Sequence, residues 1–248
     1  MKKLYENSEI GFAVTWIIAY CVLSSVGDNL SANLGMEKVC TLPILVVLSI
    51  GAILFLKRNK LMEKYGLCRP SVSTSRMLFY VPLIILVTVN LWNGLYLDIT
   101  PMETAFYVLS MFCVGFLEEL IFRGFLFHGM LKTSLKSAMI LSSVTFGIGH
   151  ILNLINGSGA ELLPNLLQVG YAMAAGFMFV MVYYRSKSLL PCIITHGLFN
   201  ALSVFSNDVT LTVEKTIFTS IAIMIICGGY ALYLAFAMQK DTEQLHLT

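Results

Sequence analysis

The chain has 248 residues, of which 57% are hydrophobic and 12% charged, with a mean hydropathy of +0.80 and a net charge of +2. Soluble domains carry about 25% charged residues, so a soluble globule is excluded, and without a basic stretch interleaved with aromatics a nucleic-acid partner is excluded as well. Cys21, Cys40, Cys68, Cys113, Cys192 and Cys227 are scattered singly, with no Cys-x-x-Cys pair or disulfide framework. The expectation is an all-α, polytopic protein of the cell membrane, residues 1–248 forming one lipid-embedded domain.

A spanning helix needs about 20 apolar residues, with about 17 accepted at the short end. In chain order the candidate runs are 10–26, 41–56, 77–97, 104–122, 137–155, 162–184, 189–205 and 217–238, a bundle of about eight transmembrane helices. The second and seventh are the weakest on length. The first is long and lacks a small-residue cleavage site, so it reads as a retained anchor rather than a signal peptide. With a cytoplasmic N-terminus, eight spans put all 16 Lys and Arg on the cytoplasmic side except Lys38 and Lys215. That asymmetry places both termini in the cytoplasm. The opposite loops hold acidic and turn-forming residues, including Asn-Gly-Ser-Gly at 156–159. No internal repeat is visible, which counts against an inverted-repeat transporter.

The fourth run contains Glu118 and Glu119, whereas the other 12 of the 14 acidic residues fall in termini or loops. Carboxylates inside an apolar span are costly and are functional candidates for that reason. In Glu118-Glu119-x-x-x-Arg123 the second glutamate lies one helical turn before the arginine, the favourable order for an ion pair. Glu118 is displaced by about 100° around the helix and is expected to lack that partner, leaving it free for chemistry. The competing reading is a buried charge cluster that pins helices together.

Two of the four histidines lie within confident apolar spans. His150 follows Phe146 by four residues and His196 precedes Asn200 by four, so each pair shares a helix face. A lone histidine of this kind would read as a satisfied core residue. Two histidines, an asparagine and a glutamate on three spans point to a site. Counting from Lys132 and Lys136, Glu118 and His150 each lie fourteen residues in, about 21 Å at the helical rise; His196 is nine residues, or about 13 Å, from Lys187 and falls short of that level.

Glu118-Glu119-x-x-x-Arg123, Phe146-x-x-x-His150 and His196-x-x-x-Asn200, in this order on successive apolar runs, resemble the CPBP family of intramembrane proteases. That family includes CAAX prenyl endopeptidases and bacterial proteins labelled abortive-infection or lysostaphin-resistance-like. The resemblance covers a catalytic core at 104–205. It implies hydrolysis by a water that Glu118 and His150 activate, with His196 and Asn200 stabilising the oxyanion and Glu119 and Arg123 orienting the catalytic helix. Neither cofactor nor metal is needed in that scheme. The older metalloprotease label implies zinc on Glu118, His150 and His196, and both versions stay open. The implied substrate is a peptide or membrane-associated protein cut near the cytoplasmic side, prenylated in one branch of the family. A proton-coupled transporter and a non-proteolytic immunity or scaffold protein are the other readings.

Overall fold

The computed structural model describes residues 1–155 and 160–245, so the turn expected at 156–159 lies outside the described residues. Among them there is no β-strand, only an isolated antiparallel bridge between Leu95 and Ser206. A short helix α1 (Lys2–Asn7) leads into α2 (Glu9–Leu34), followed by α3 (Thr41–Arg58) and α4 (Val81–Thr88). Next come α5 (Pro101–Glu118), α6 (His128–Met130), α7 (Leu135–Gly149), α8 (Leu162–Ser186), α9 (Leu190–Leu202) and α10 (Val213–Leu245). Local chemistry sets several boundaries. The Ser8 hydroxyl accepts from the Gly11 amide at 2.9 Å at the start of α2. Thr100 and Glu103 form a reciprocal capping box at the start of α5, with Pro101 in the first turn.

Among the described residues, seven helices or helix series are long and apolar enough to cross a membrane: Glu9–Leu34, Thr41–Arg58, Thr74–Leu91, Pro101–Met130, Leu135–Leu154, Leu162–Ser186 and Val213–Phe236. Their outer faces carry Ile18, Val47, Ile84, Phe218 and Ile225, each more than half exposed, as a bundle solvated by lipid tails requires. The chain therefore has the build of a multi-pass membrane protein. The seventh expected run is the shorter helix Leu190–Phe205. It packs against α5 in the antiparallel sense, starting beside Gly66 and ending where Ser203 meets the Tyr107 hydroxyl at 2.8 Å.

Ser186, Ser188 and Leu189 in the α8–α9 turn are fully buried beneath the loop that follows α3. The Leu189 amide donates to the Gly66 carbonyl at 2.8 Å, and the Ser188 hydroxyl donates to the Cys68 carbonyl at 2.6 Å. Lys187, between the two serines, is exposed, so the turn packs its small and apolar side chains inward and leaves its basic one outside. The third run also departs from expectation, because its helical part stops at Leu91 rather than 97. Asn90 there turns its side chain to the Phe199 carbonyl, and Gly94 adopts φ +93°, a left-handed bend that favours glycine.

The charges divide between the two ends of the bundle. At one end Glu9 bridges Lys64 at 3.0 Å and Lys132 at 2.9 Å, joining the α2 start, the loop after α3 and the end of α6. At the other end Lys38 pairs with Asp28 at 2.8 Å and Lys215 donates to Asn93. Beneath the first end an aromatic cluster of Tyr5, Phe12, Trp16, Phe55, Tyr65 and Phe125 fills the interior, with successive ring centroids 4.9 to 6.5 Å apart.

Candidate active site

The fourth span changes its winding where the motif begins. From Glu119 to Phe127 the helix is π rather than α, and every side chain of that stretch is buried. Its wider turns leave backbone groups needing other partners, and the buried Ser142 hydroxyl of α7 donates to the Phe122 carbonyl at 2.8 Å. Glu118 is the last α-helical residue. The change of winding therefore falls between the two adjacent glutamates.

The second glutamate is committed to structure. Glu119 and Arg123 are both 0% exposed, with a guanidinium nitrogen 3.1 Å from a carboxylate oxygen, the ion pair that the spacing suggests. The guanidinium carbon lies 4.1 Å from the centroid of Phe146 and 5.4 Å from that of Phe179. The remaining guanidinium surface thus rests on aromatic faces, while the carboxylate also accepts from His196 Nδ1 at 2.8 Å.

Arg123 pairs with Glu119 and not with Glu118, which has other neighbours. Tyr20 of α2 donates its hydroxyl to one Glu118 oxygen at 2.6 Å, and His196 Nε2 is 3.5 Å from the other. His196 thus stands between the two glutamates, one ring nitrogen toward each. His196 reaches both glutamates despite the gap in depth expected from the sequence count. Close approach of α5 and α9 completes the placement: a Cβ added at Gly115 would fall 2.6 Å from the Gly197 amide nitrogen. One turn from the glutamates, the two backbones touch where only hydrogen atoms fit.

His150 closes α7, and its Nδ1 faces the Phe146 carbonyl at 3.1 Å, leaving Nε2 as the other functional edge. Phe146 makes edge contacts with His150 at 5.1 Å and with His196 at 5.7 Å, while Phe179 stacks on His196 at 5.6 Å. Asn165 of α8, almost fully buried, donates to the His150 carbonyl at 2.8 Å and fixes the short 3₁₀ turn His150–Leu154. A cavity of about 310 Å³ is lined by Tyr20, Glu118, Phe146, His150 and Asn200. A smaller space of about 50 Å³ shares Phe146, His150 and Asn200 and adds His196. All four candidate side chains therefore border one region of the bundle.

Tyr20, Asn165 and Phe179 are absent from the sequence-based set. Tyr20 belongs to a helix legible only as an apolar run, and a tyrosine in such a run carries no signal of its partner. Asn165 had a weak signal, as an amide in the first turn of an apolar helix. The zinc alternative finds no gathered donor set: among the described residues no group of three or more His, Cys, Asp or Glu could hold a metal ion.

No curated protein matches the chain. The family model described as type II CAAX prenyl endopeptidase Rce1-like, a family of proteases, matches residues 100–202, the segment that carries Glu118, Glu119, Arg123, Phe146, His150, His196 and Asn200 and that the three motifs likened to the CPBP proteases.

Proposed function

We propose that the protein is an intramembrane endopeptidase in which Glu118 and His150 activate a water for attack on a peptide carbonyl. The observation that carries this reading is that Glu118, His150 and Asn200 border one cavity inside a membrane bundle whose motif segment matches a protease family. Tyr20 holds the Glu118 carboxylate on one oxygen, so the other is directed toward the space near His196. The carboxylate takes a proton from water as the oxygen attacks, and returns it to the amine that leaves when the tetrahedral intermediate collapses. His150, oriented through Nδ1, presents Nε2 to the same water.

His196 and Asn200 face the developing oxyanion. The Asn200 side-chain amide supplies a donor, and Glu119 fixes the orientation of the His196 ring through Nδ1. Nothing in this cycle needs a metal or organic cofactor. The substrate class is a peptide or membrane-associated protein.

The test compares membrane proteins and released peptides of a deletion strain complemented with wild type or with Glu118→Gln. Newly exposed termini that appear with wild type and not with the variant identify substrates. Identical terminus profiles from the two strains would refute protease action, and an unchanged biological activity would favour a scaffold.

A further inference from the structure

Behind His150 three amide side chains form a hydrogen-bonded series whose far end has no role in the catalytic scheme. The buried Asn165 Nδ2 donates to the His150 carbonyl at 2.8 Å and to Gln168 Oε1 at 3.4 Å, and Asn153 Nδ2 donates to the same Gln168 oxygen at 3.1 Å. The orientation of the series follows from the backbone carbonyl at its start, which can only accept. Asn165 must turn its nitrogen toward that carbonyl, and the second proton of the same nitrogen then requires an oxygen at Gln168. Gln168 lies one turn after Asn165 on α8, and Tyr171 one turn further, so one face of this helix meets the site.

With its oxygen committed to two donors, Gln168 keeps the protons of Nε2 free, and among the described residues that nitrogen donates to no protein group. The side chain is half-buried and borders both spaces of the site, the larger one with Glu118, His150 and Asn200 and the smaller one with His196. A structural tie to Asn153 and Asn165 needs only the oxygen. The unused donor is what such a tie leaves unexplained. Resting on the protease reading above, we propose that Gln168 binds the main chain of the substrate, its Nε2–H donating to the carbonyl of a peptide unit beside the scissile bond. Successive units of an extended peptide are about 3.4 Å apart. With the scissile carbonyl between Glu118 and His150 on one side and His196 and Asn200 on the other, a unit one or two residues away falls beside a side chain that borders both spaces. A contact of this kind selects an extended backbone rather than a particular side chain. Through Asn165 it also ties the bound peptide to the end of α7 that carries His150.

The experiment uses purified full-length protein carrying Glu118→Gln, so that bound peptides are not consumed, and a pool of end-blocked decapeptides of randomised sequence as the probe. Retained peptides are identified by mass spectrometry, and the best-retained one is remade with each peptide oxygen exchanged in turn for sulfur, a poorer acceptor in the same place. The expected result is one position at which the exchange weakens binding by about three- to tenfold, the scale of a single neutral hydrogen bond, and at which it has no effect once Gln168→Met is added. Gln168→Met should weaken binding of the unmodified peptide by the same factor, with an unchanged unfolding midpoint. Gln168→Glu keeps an oxygen for Asn153 and Asn165 and, when ionised, lacks the donor, so it replaces the methionine variant if that one is unstable. A merely structural role would weaken every analogue equally and leave the position-specific effect in place, and that result would overturn the proposal. Equal binding with and without Gln168→Met would overturn it, as would a pool from which nothing is retained. If Glu118→Gln cleaves the pool at the wild-type rate, the protease reading fails while the retained peptides still report the Gln168 contact.

Discussion

Replacing Arg123 by leucine removes one partner of an ion pair in which both side chains are 0% exposed and 3.1 Å apart. Breaking a buried pair from one side costs about 3 to 5 kcal/mol, because the surviving charge is left in a low-dielectric interior. The structure favours the lower part of that range, since Glu119 keeps His196 Nδ1 at 2.8 Å as a second partner. A loss of about 3 kcal/mol is about a hundredfold in the folding equilibrium. Arg123→Leu should therefore accumulate poorly in membranes and unfold at lower denaturant or temperature, whereas Glu118→Gln should match wild type on both measures. A double replacement, Glu119→Leu with Arg123→Leu, leaves neither buried charge and should recover part of the lost stability, the remainder being the cost of the donor orphaned on His196. Purified protein in detergent, followed by denaturant titration, gives all three comparisons. Equal stability of Arg123→Leu and wild type would refute the structural role assigned to the pair.

Tyr20→Phe removes the hydroxyl that donates to Glu118 and nothing else, so protein abundance should hold while turnover falls; unchanged turnover would show that the contact does not position the carboxylate. Gly115→Ala forces a methyl group to 2.6 Å from the Gly197 backbone, and the resulting overpacking should cost about 1 to 3 kcal/mol and displace His196, read as lower stability together with lower turnover. His196→Ala should lower turnover by about 10² to 10³, the usual loss for one oxyanion donor, and activity should survive exhaustive chelation. Stoichiometric zinc lost with that substitution, and activity restored only by added metal, would refute the metal-free scheme.

The helical membrane architecture and the three motifs are legible in the sequence for one physical reason: ionisable and amide side chains inside apolar runs have few bland explanations. The Glu119–Arg123 pair follows from its four-residue spacing. The winding of the fourth span is not legible, since apolar residues on all sides of a buried stretch give no period that separates π from α. Nor is the contact of His196 with both glutamates, because residue counts along separate helices do not give their relative tilt and height. The Tyr20 to Glu118 contact joins residues 98 positions apart, one of them outside the matched segment, and emerges only from packing.

The central claim, that Glu118 performs the chemistry rather than holding helices together, is tested most directly by cleavage of a peptide substrate in reconstituted vesicles by wild type and by Glu118→Gln at matched amounts. Loss of cleavage in the variant, with an unchanged unfolding midpoint, is the result expected of a general base. Cleavage retained at the wild-type rate, or lost only in step with unfolding, would contradict it.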